Sequence, residues 1–585
     1  MGSKTGIGIA TGIPFINKRK GGSGVQPLPP DLLDALVGVW IADQNNNNSS
    51  NRDIIKNKIP NAGGDFELLN FAYKLNSGFG KYEEDFTNWK LASNINLSSD
   101  GTKISTISTN FSYQYNYSSI GRDVPSFKVK ISNFTEGTIS YYYREEDGNE
   151  KHINFGPITV TNSNGIVELP KSYNTVENGI GYRGGFIGIL NTNIGLTIEQ
   201  IPSFQGALVT DGVNDLIAST KTMQEMLDGS NEMTVVSMIH QIAPVDKVNN
   251  LSYNNYFHNS SPSFIRNNVK NIGKTGIYGY KYATSNTSTV TNILGDKNDY
   301  SNTVTNEKPF TSRFFVEGWA LDNGTIAEVS QVAWYWTFIA KRALTTDEIN
   351  QVIAYYNLDK YVKPDIYYDV KKQGLTNDTP DSDWYLKDFS DNGRDMQLYN
   401  YGKTPESGIN EEGGLQSDGI TDYGKAENLP IYKDYTVVAD REIVDGLINN
   451  ADGGVATRGT KWDTGAFCFD YTDGVYSFGA TNGYVDRVKP NRFISYMSKY
   501  IHNGITTPVG DAVDNNPLCI AKLGSSIDRY SKLALWSFLL FPYSLSEFLL
   551  ERQLKRYKLG TLYPDMVEFR PIITGNVQYK SVEIH

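Results

Sequence analysis

Cysteine is nearly absent from this chain, with two in 585 residues. A disulfide framework is therefore excluded, and the sequence is not built for an oxidising compartment. Cys468 and Cys519 sit in the apolar runs AFCFD and PLCIA, where a buried, reduced thiol is the natural reading. No stretch approaches the roughly 18 uninterrupted apolar residues of a membrane-spanning helix, so no membrane insertion is expected. Basic charge is in short supply: 54 Lys and Arg against 65 Asp and Glu leave a net charge of −11. Such a surface repels phosphate backbones, which argues against nucleic acid as a main partner. Histidine is scarce too. His152, His240, His258, His502 and His585 are scattered without metal-ligand spacing. The sequence also lacks H-E-x-x-H, G-x-S-x-G and a P-loop. Its first 30 residues carry no apolar h-region and no lipobox-like cysteine, so ordinary export is not expected.

What is present points to β-structure. The chain has 38 Tyr, 26 Phe, 54 Gly and only 20% charged residues, whereas helical proteins lean on Glu, Lys, Leu and Ala. At about 150 residues per domain, the length implies three or four domains. An internal duplication organises them. Residues 330–358 (SQVAWYWTFIAKRALTTDEINQVIAYYNL) align without a gap on 531–559 (SKLALWSFLLFPYSLSEFLLERQLKRYKL), pairing Ser330 with Ser531, Leu344 with Leu545 and Tyr356 with Tyr557. Each copy reads as a buried apolar strand, a turn and a short closing helix. Thr345 and Glu348 form a capping box, and Ile349, Val352, Ile353 and Tyr356 share one helical face. Trp334, Trp336 and Trp536 on the closing strands are expected in the core. Upstream, GALVTDGVNDLI (206–217) pairs with GGLQSDGITDYG (413–424), and NAGGDFELLNF (61–71) with DNGRDMQLYNY (391–401).

Asp65 and Asp211 are much further apart than their counterparts Asp395 and Asp418. The first copy therefore carries roughly 120 extra residues, the size of a small domain. That insertion alternates like strands throughout (SFKVKISNF, GTISYYYRE, HINFGPITVT), as in a sandwich. The expected plan is all-β. Residues 31–79 plus 204–362 form a first sandwich, 80–203 an inserted one of carbohydrate-binding-module type, and 363–563 a second copy of the first. Residues 1–30 are expected to be extended and to anchor the chain in a larger assembly, with 564–585 as a C-terminal tail.

The duplicated unit resembles the laminin-G-like, concanavalin A-like jelly rolls. The resemblance rests on KDFSDNGRDMQLYN (387–400), SDGITDYG (417–424) and ALTTDEINQV (343–352), in that order in both copies. The second copy departs at its closing helix, where Leu549 stands in the place of Glu348. The resemblance implies tandem concanavalin A-like jelly-roll sandwiches with short closing helices, the first interrupted by the insertion. The whole chain also resembles virion structural proteins of crAss-like phages infecting Bacteroides, on its TGIGIATGIPF segment, its Asn-, Tyr- and Ser-rich sandwiches and its lack of an export signal. That implies a head-fibre, capsid-decoration or tail-fibre role on a virion assembled in the host cytoplasm. The N-terminal segment would then bind other virion proteins, and a homo-oligomer such as a trimer is expected.

Some concanavalin A-like sandwiches are glycoside hydrolases with E-x-D-x-x-E on a core-facing strand. That string occurs once, at Glu145, Asp147 and Glu150, but Asp147-Gly148-Asn149 is a hairpin signal that would scatter the carboxylates at a solvated tip. No enzymatic activity is expected. No cofactor is expected either, calcium being the one candidate. Its ligands would be Asp211 and Asp215, with Asp418 and Asp422 in the second copy. The competing and preferred reading is that these residues cap tight turns, because no D-x-D-x-D-G loop is present. Glycan binding needs aromatic faces with amides and carboxylates nearby. The loop candidates are Trp462 and Asp463, Tyr484 and Asp486, and Tyr253 and Tyr256. Two functions remain: a virion surface protein displaying lectin-like sandwiches that adhere to host-surface or mucus glycans, and a bacterial glycan-binding protein or glycanase. The second would need a concave, aromatic-lined groove with convergent carboxylates.

Overall fold

A computed structural model describes residues 27–559, apart from interior stretches of which the longest are 156–164, 175–182, 244–253, 305–312, 445–453, 459–466, 478–491 and 499–516. The described chain is all-β, with short helices. In the first sandwich a nine-stranded sheet is centred on Glu232–Ala243 and Gln331–Ala340. It faces a four-stranded sheet of Ile54–Ile55, Phe66–Leu69, Leu216–Thr222 and Arg313–Val316. Trp40, Phe66, Phe314 and Trp334 fill the space between them, with Trp40 stacked on Phe66 at 4.1 Å. In the insertion, two five-stranded antiparallel sheets close over Phe86, Trp89, Tyr113 and Phe186. The second copy pairs a six-stranded with a seven-stranded sheet around Tyr368, Met396, Val437 and Phe538.

Local sequence explains the elements. In Phe127–Ser132 burial alternates strictly, so Phe127, Val129 and Ile131 enter the core while Lys128 and Lys130 point out. The closing strand Leu533–Phe541 is instead buried at every position, because its second face lies under a closing helix. The first such helix, Thr346–Tyr355, starts at the Thr345–Glu348 capping box. The second, Glu547–Arg556, starts at Ser546, whose hydroxyl accepts the Leu549 N–H with no reciprocal bond, as Leu549 in the Glu position requires. Asp147-Gly148-Asn149 is the expected hairpin turn between Gly137–Arg144 and Glu150–Asn154, with Gly148 at φ 84°. Trp334, Trp336 and Trp536 are buried, and so is the thiol of Cys519. The side chain of Cys468 lies outside the described residues.

The duplication holds bond by bond. Asn70 and Asn400 both sit at φ 67°, and their side chains donate to the Asn214 and Thr421 carbonyls at 3.0 and 2.9 Å. Asn47 accepts from the Phe79 N–H at 2.7 Å, as Asn377 does from Ile409 at 2.7 Å. Thr210 and Ser417 each donate to a Ser carbonyl, of Ser330 and Ser531, at 2.6 Å.

The two copies are also fused. Ser544–Leu545 from the second adds in parallel to Lys274–Thr284 of the first. One apolar cluster runs from Met238 and Phe338 through Ile349 and Ile353 of the first helix to Leu549, Leu554 and Phe541 of the second copy. Asp359, in the linker, accepts from Arg552 at 3.0 Å and from Arg556 at 2.6 Å. Within the span expected to be extended, Leu28 is buried and a helix begins at Pro30.

Candidate functional site

The linker between the copies, 359–365, runs past the insertion, and all three sandwiches meet there around a cleft of about 720 Å³. Volumes of this order suit a bound small molecule or oligomer. The insertion contributes Lys128, turned out by strand alternation, and Glu168. The first sandwich contributes His240 and Tyr335 from its two central strands, and the segment entering it contributes Phe204. The linker supplies Tyr361, Lys363 and Asp365; the second copy supplies Phe389, Asn392, Tyr432, Tyr543 and Tyr557. Gly206, at φ 79°, lets Tyr361 lie close, because a Cβ there would fall 2.3 Å from the Tyr361 ring.

Asp365 is the polar hub. Its Oδ1 accepts from Asn392 at 2.8 Å and faces the Lys128 ammonium at 3.7 Å, while its Oδ2 accepts from Arg394 and Tyr432. Arg394 also reaches Glu168 at 3.9 Å. The insertion and the second copy are thus pinned to each other through one carboxylate. Burial holds the phenols of Tyr432, Tyr367 and Tyr543 above the usual range, so they stay protonated and can donate. Burial, helped by Lys81, lowers His240 to about 3, so its ring is neutral at pH 7. His240 Nδ1 lies 2.8 Å from the Thr275 hydroxyl, and Phe204 covers its ring at 4.6 Å. Half-buried rings (Phe204, Tyr361, Phe389, Tyr543) beside fixed donors and acceptors can stack on C–H faces and bond hydroxyls.

Of the residues singled out by sequence, the four aspartates do not line this cleft. Trp462, Asp463, Tyr484, Asp486 and Tyr253 fall outside the described residues. Tyr256 is on the strand Asn254–Phe257, with its side chain outside them. The four aspartates form two equivalent turn caps. Asp211 Oδ1 accepts from the N–H groups of Val213 and Asn214 at 2.7 and 3.2 Å; Asp418 Oδ1 accepts from Ile420 and Thr421 at 2.7 and 2.9 Å. Asp215 accepts from the Asp211 N–H and from Ser77, and Asp422 from the Asp418 N–H and from Ser407. These donors agree with the turn-cap reading, and of the carboxylate oxygens only Asp422 Oδ1 is buried with no hydrogen-bond partner among the described residues. Among the described residues no group of three or more His, Cys, Asp or Glu side chains could hold a metal ion.

Those caps carry a pH dependence. Burial, opposed by the hydrogen bonds, lifts Asp215 to about 7 and Asp422 to about 6, above the usual unfolded value of about 3.9. The folded state therefore binds protons the unfolded chain has released. This contribution is complete below pH ~4 and is lost as pH rises through 6 to 7. Thermal unfolding midpoints measured from pH 5 to 8 should fall in the native chain and fall less in Asp215→Asn/Asp422→Asn. Equal slopes would contradict the assignment.

No protein-family model matches the chain, and no curated protein does. Among solved structures, Trypanosoma rangeli sialidase with sialic acid is similar at 10% identity over 92% of this chain and 99% of that one, with a TM-score of 0.25. A receptor binding domain gives 9% identity, 88% and 99% coverage and a TM-score of 0.23. A botulinum neurotoxin type C structure, concerned with interaction with two ganglioside molecules, gives 7%, 87%, 94% and 0.23. TM-scores this low carry no argument about this chain's ligand.

Proposed function

We propose that this chain is a non-enzymatic, surface-displayed adhesion protein that holds a neutral glycan in the cleft between its three sandwiches. One observation carries the reading: a concave site lined by half-buried aromatic rings whose charges cancel. Glu83, Glu168, Asp365 and Asp434 face Lys128, Lys360, Lys363 and Arg556, in a protein of net charge −11. Pairing supports it further: Lys360 is bonded to Asp43, Glu83 to Lys81, and Arg556 to Asp359. A polyhydroxylated ligand without charge fits such a lining, because no fixed charge is left to be met. Asp365 acts here as a structural pin, since donors hold both its oxygens, and that leaves it unsuited to nucleophilic or acid work.

The finer proposal is that a phage virion displays the chain, with residues 1–30 as its anchor and a homo-oligomer as its form. The resemblance of the N-terminal segment and of the Asn- and Tyr-rich sandwiches to crAss-like virion proteins supports it. On a glycan array the protein should bind neutral oligosaccharides, with little change between 50 and 300 mM salt. Tyr361→Ala and Phe389→Ala should each weaken binding about tenfold, the value of a lost stacking contact. Binding confined to acidic glycans and abolished by salt would overturn the ligand class. Co-sedimentation with particles, lost on deleting residues 1–30, tests the virion assignment.

A further inference from the structure

The two copies differ at one matched pair of positions on the outer face of a sheet. In the first copy, Leu69 and Leu216 are cross-strand partners, and Leu216 is fully buried in a small apolar cluster with Ala218 and Phe315. In the second copy the same register holds Tyr399 opposite Tyr423. These rings stack at 4.8 Å with 12° between their planes, and Tyr399 is 39% exposed. Tyr530 joins at 6.1 Å. The ammonium of Lys522 lies over both neighbouring rings, 4.6 Å from Tyr423 and 5.1 Å from Tyr530, and is tied to Asp528 at 3.2 Å. The Tyr530 hydroxyl donates to the same Asp528 carboxylate at 3.1 Å. The ring stacked on Tyr399 is that of Tyr423, and the Lys425 ammonium acts on Tyr399 electrostatically.

We propose that Tyr399, Tyr423 and Tyr530 form a second saccharide platform, separate from the cleft and confined to the second copy. A core position in one copy has become an exposed phenolic stack in the other, with the orienting groups in place. Lys522 and Asp528 brace the rings, and Gln397 and Lys425, paired two positions along on the same face of these strands, supply an amide and an ammonium beside them. Stacking on a sugar's C–H face needs a rigid ring with polar groups at its edge. The size of the patch selects the occupant. Three rings offer at most roughly 450–750 Å² even if bare, and these are partly covered. A stable protein interface needs about 800 Å² per partner, whereas one or two sugar rings need far less.

Calorimetric titration of the full chain with cellohexaose, laminarihexaose, xylohexaose and mannohexaose in turn tests this. The informative variant is Tyr399→Leu/Tyr423→Leu, which installs the pair that the first copy already folds with; Tyr399→Ala is a lighter check. At least one of the hexasaccharides should bind the native chain at two sites, and the double variant at one, with the thermal midpoint unchanged within about 3 °C. Tyr361→Ala should weaken the other site about tenfold. Unaltered stoichiometry in the double variant, or no binding of any of the four, would overturn the platform. Loss of all binding in the double variant would keep the platform and remove the cleft as a site.

Discussion

Asp365→Ala is expected to destabilise the protein by about 3–5 kcal/mol, the cost of breaking a buried ion pair from one side. Asp365 is 6% exposed, and the Arg394 guanidinium opposite it is enclosed between Glu168, Tyr432 and the Asp365 carbonyl. Removing the carboxylate strands that cation, the Tyr432 hydroxyl and the Asn392 amide together, each with its own desolvation cost. Because Lys128 and Glu168 belong to the insertion, the loss should not stay local. Denaturant unfolding should show the drop, and proteolysis should cut first in the linker 359–365. Asp365→Asn keeps an acceptor and should recover part of the loss. A variant with unchanged stability would mean that the three sandwiches are held together by something other than this hub.

The second large effect concerns the shared core. Phe541→Ala removes a ring that is 1% exposed on the closing strand of the second copy, and large-to-small changes of this kind cost about 3–5 kcal/mol. Its cluster includes Met238, Trp336 and Phe338 of the first copy, so the damage should cross the boundary. Scanning calorimetry of the native chain should show the tandem copies melting as one transition, with the insertion, which has a core of its own, melting separately. In the variant, amide exchange should accelerate in Gln331–Ala340 as well as in Leu533–Phe541. Exchange confined to the second copy would show two independent cores.

The chain's plan was legible in sequence because its signals are local or repeated. Closing strands, capped helices, the Asp147-Gly148-Asn149 hairpin and the paired Asp turns each depend on neighbours a few residues away, and the duplication printed most of them twice. Leu549 in the place of Glu348 marked a departure from the capping box, and the helix has a one-sided cap there. The cleft was not legible. Lys128, His240, Asp365, Phe389 and Tyr432 come from widely separated segments, and only the packing of sandwich on sandwich brings them together. Its one local hint was the Tyr-rich linker KYVKPDIYYD. The fusion of the copies escaped for a related reason: a helix stripe and a fully apolar strand announce burial but not the surface that provides it. Tyr399 and Tyr423 could have been found, since aligning the copies sets them on Leu69 and Leu216, and a core-to-phenol change at matched positions is a signal in itself.

The central claim, a neutral glycan seated between the sandwiches, is tested most directly by hydrogen–deuterium exchange with and without the hexasaccharide that binds tightest. Slowed exchange should occur together in 126–128 of the insertion, 359–365 of the linker and 389–392 of the second copy, and in Tyr361→Ala should need about ten times more sugar. Protection absent from all three segments while the sugar is bound would place the ligand elsewhere and contradict the account.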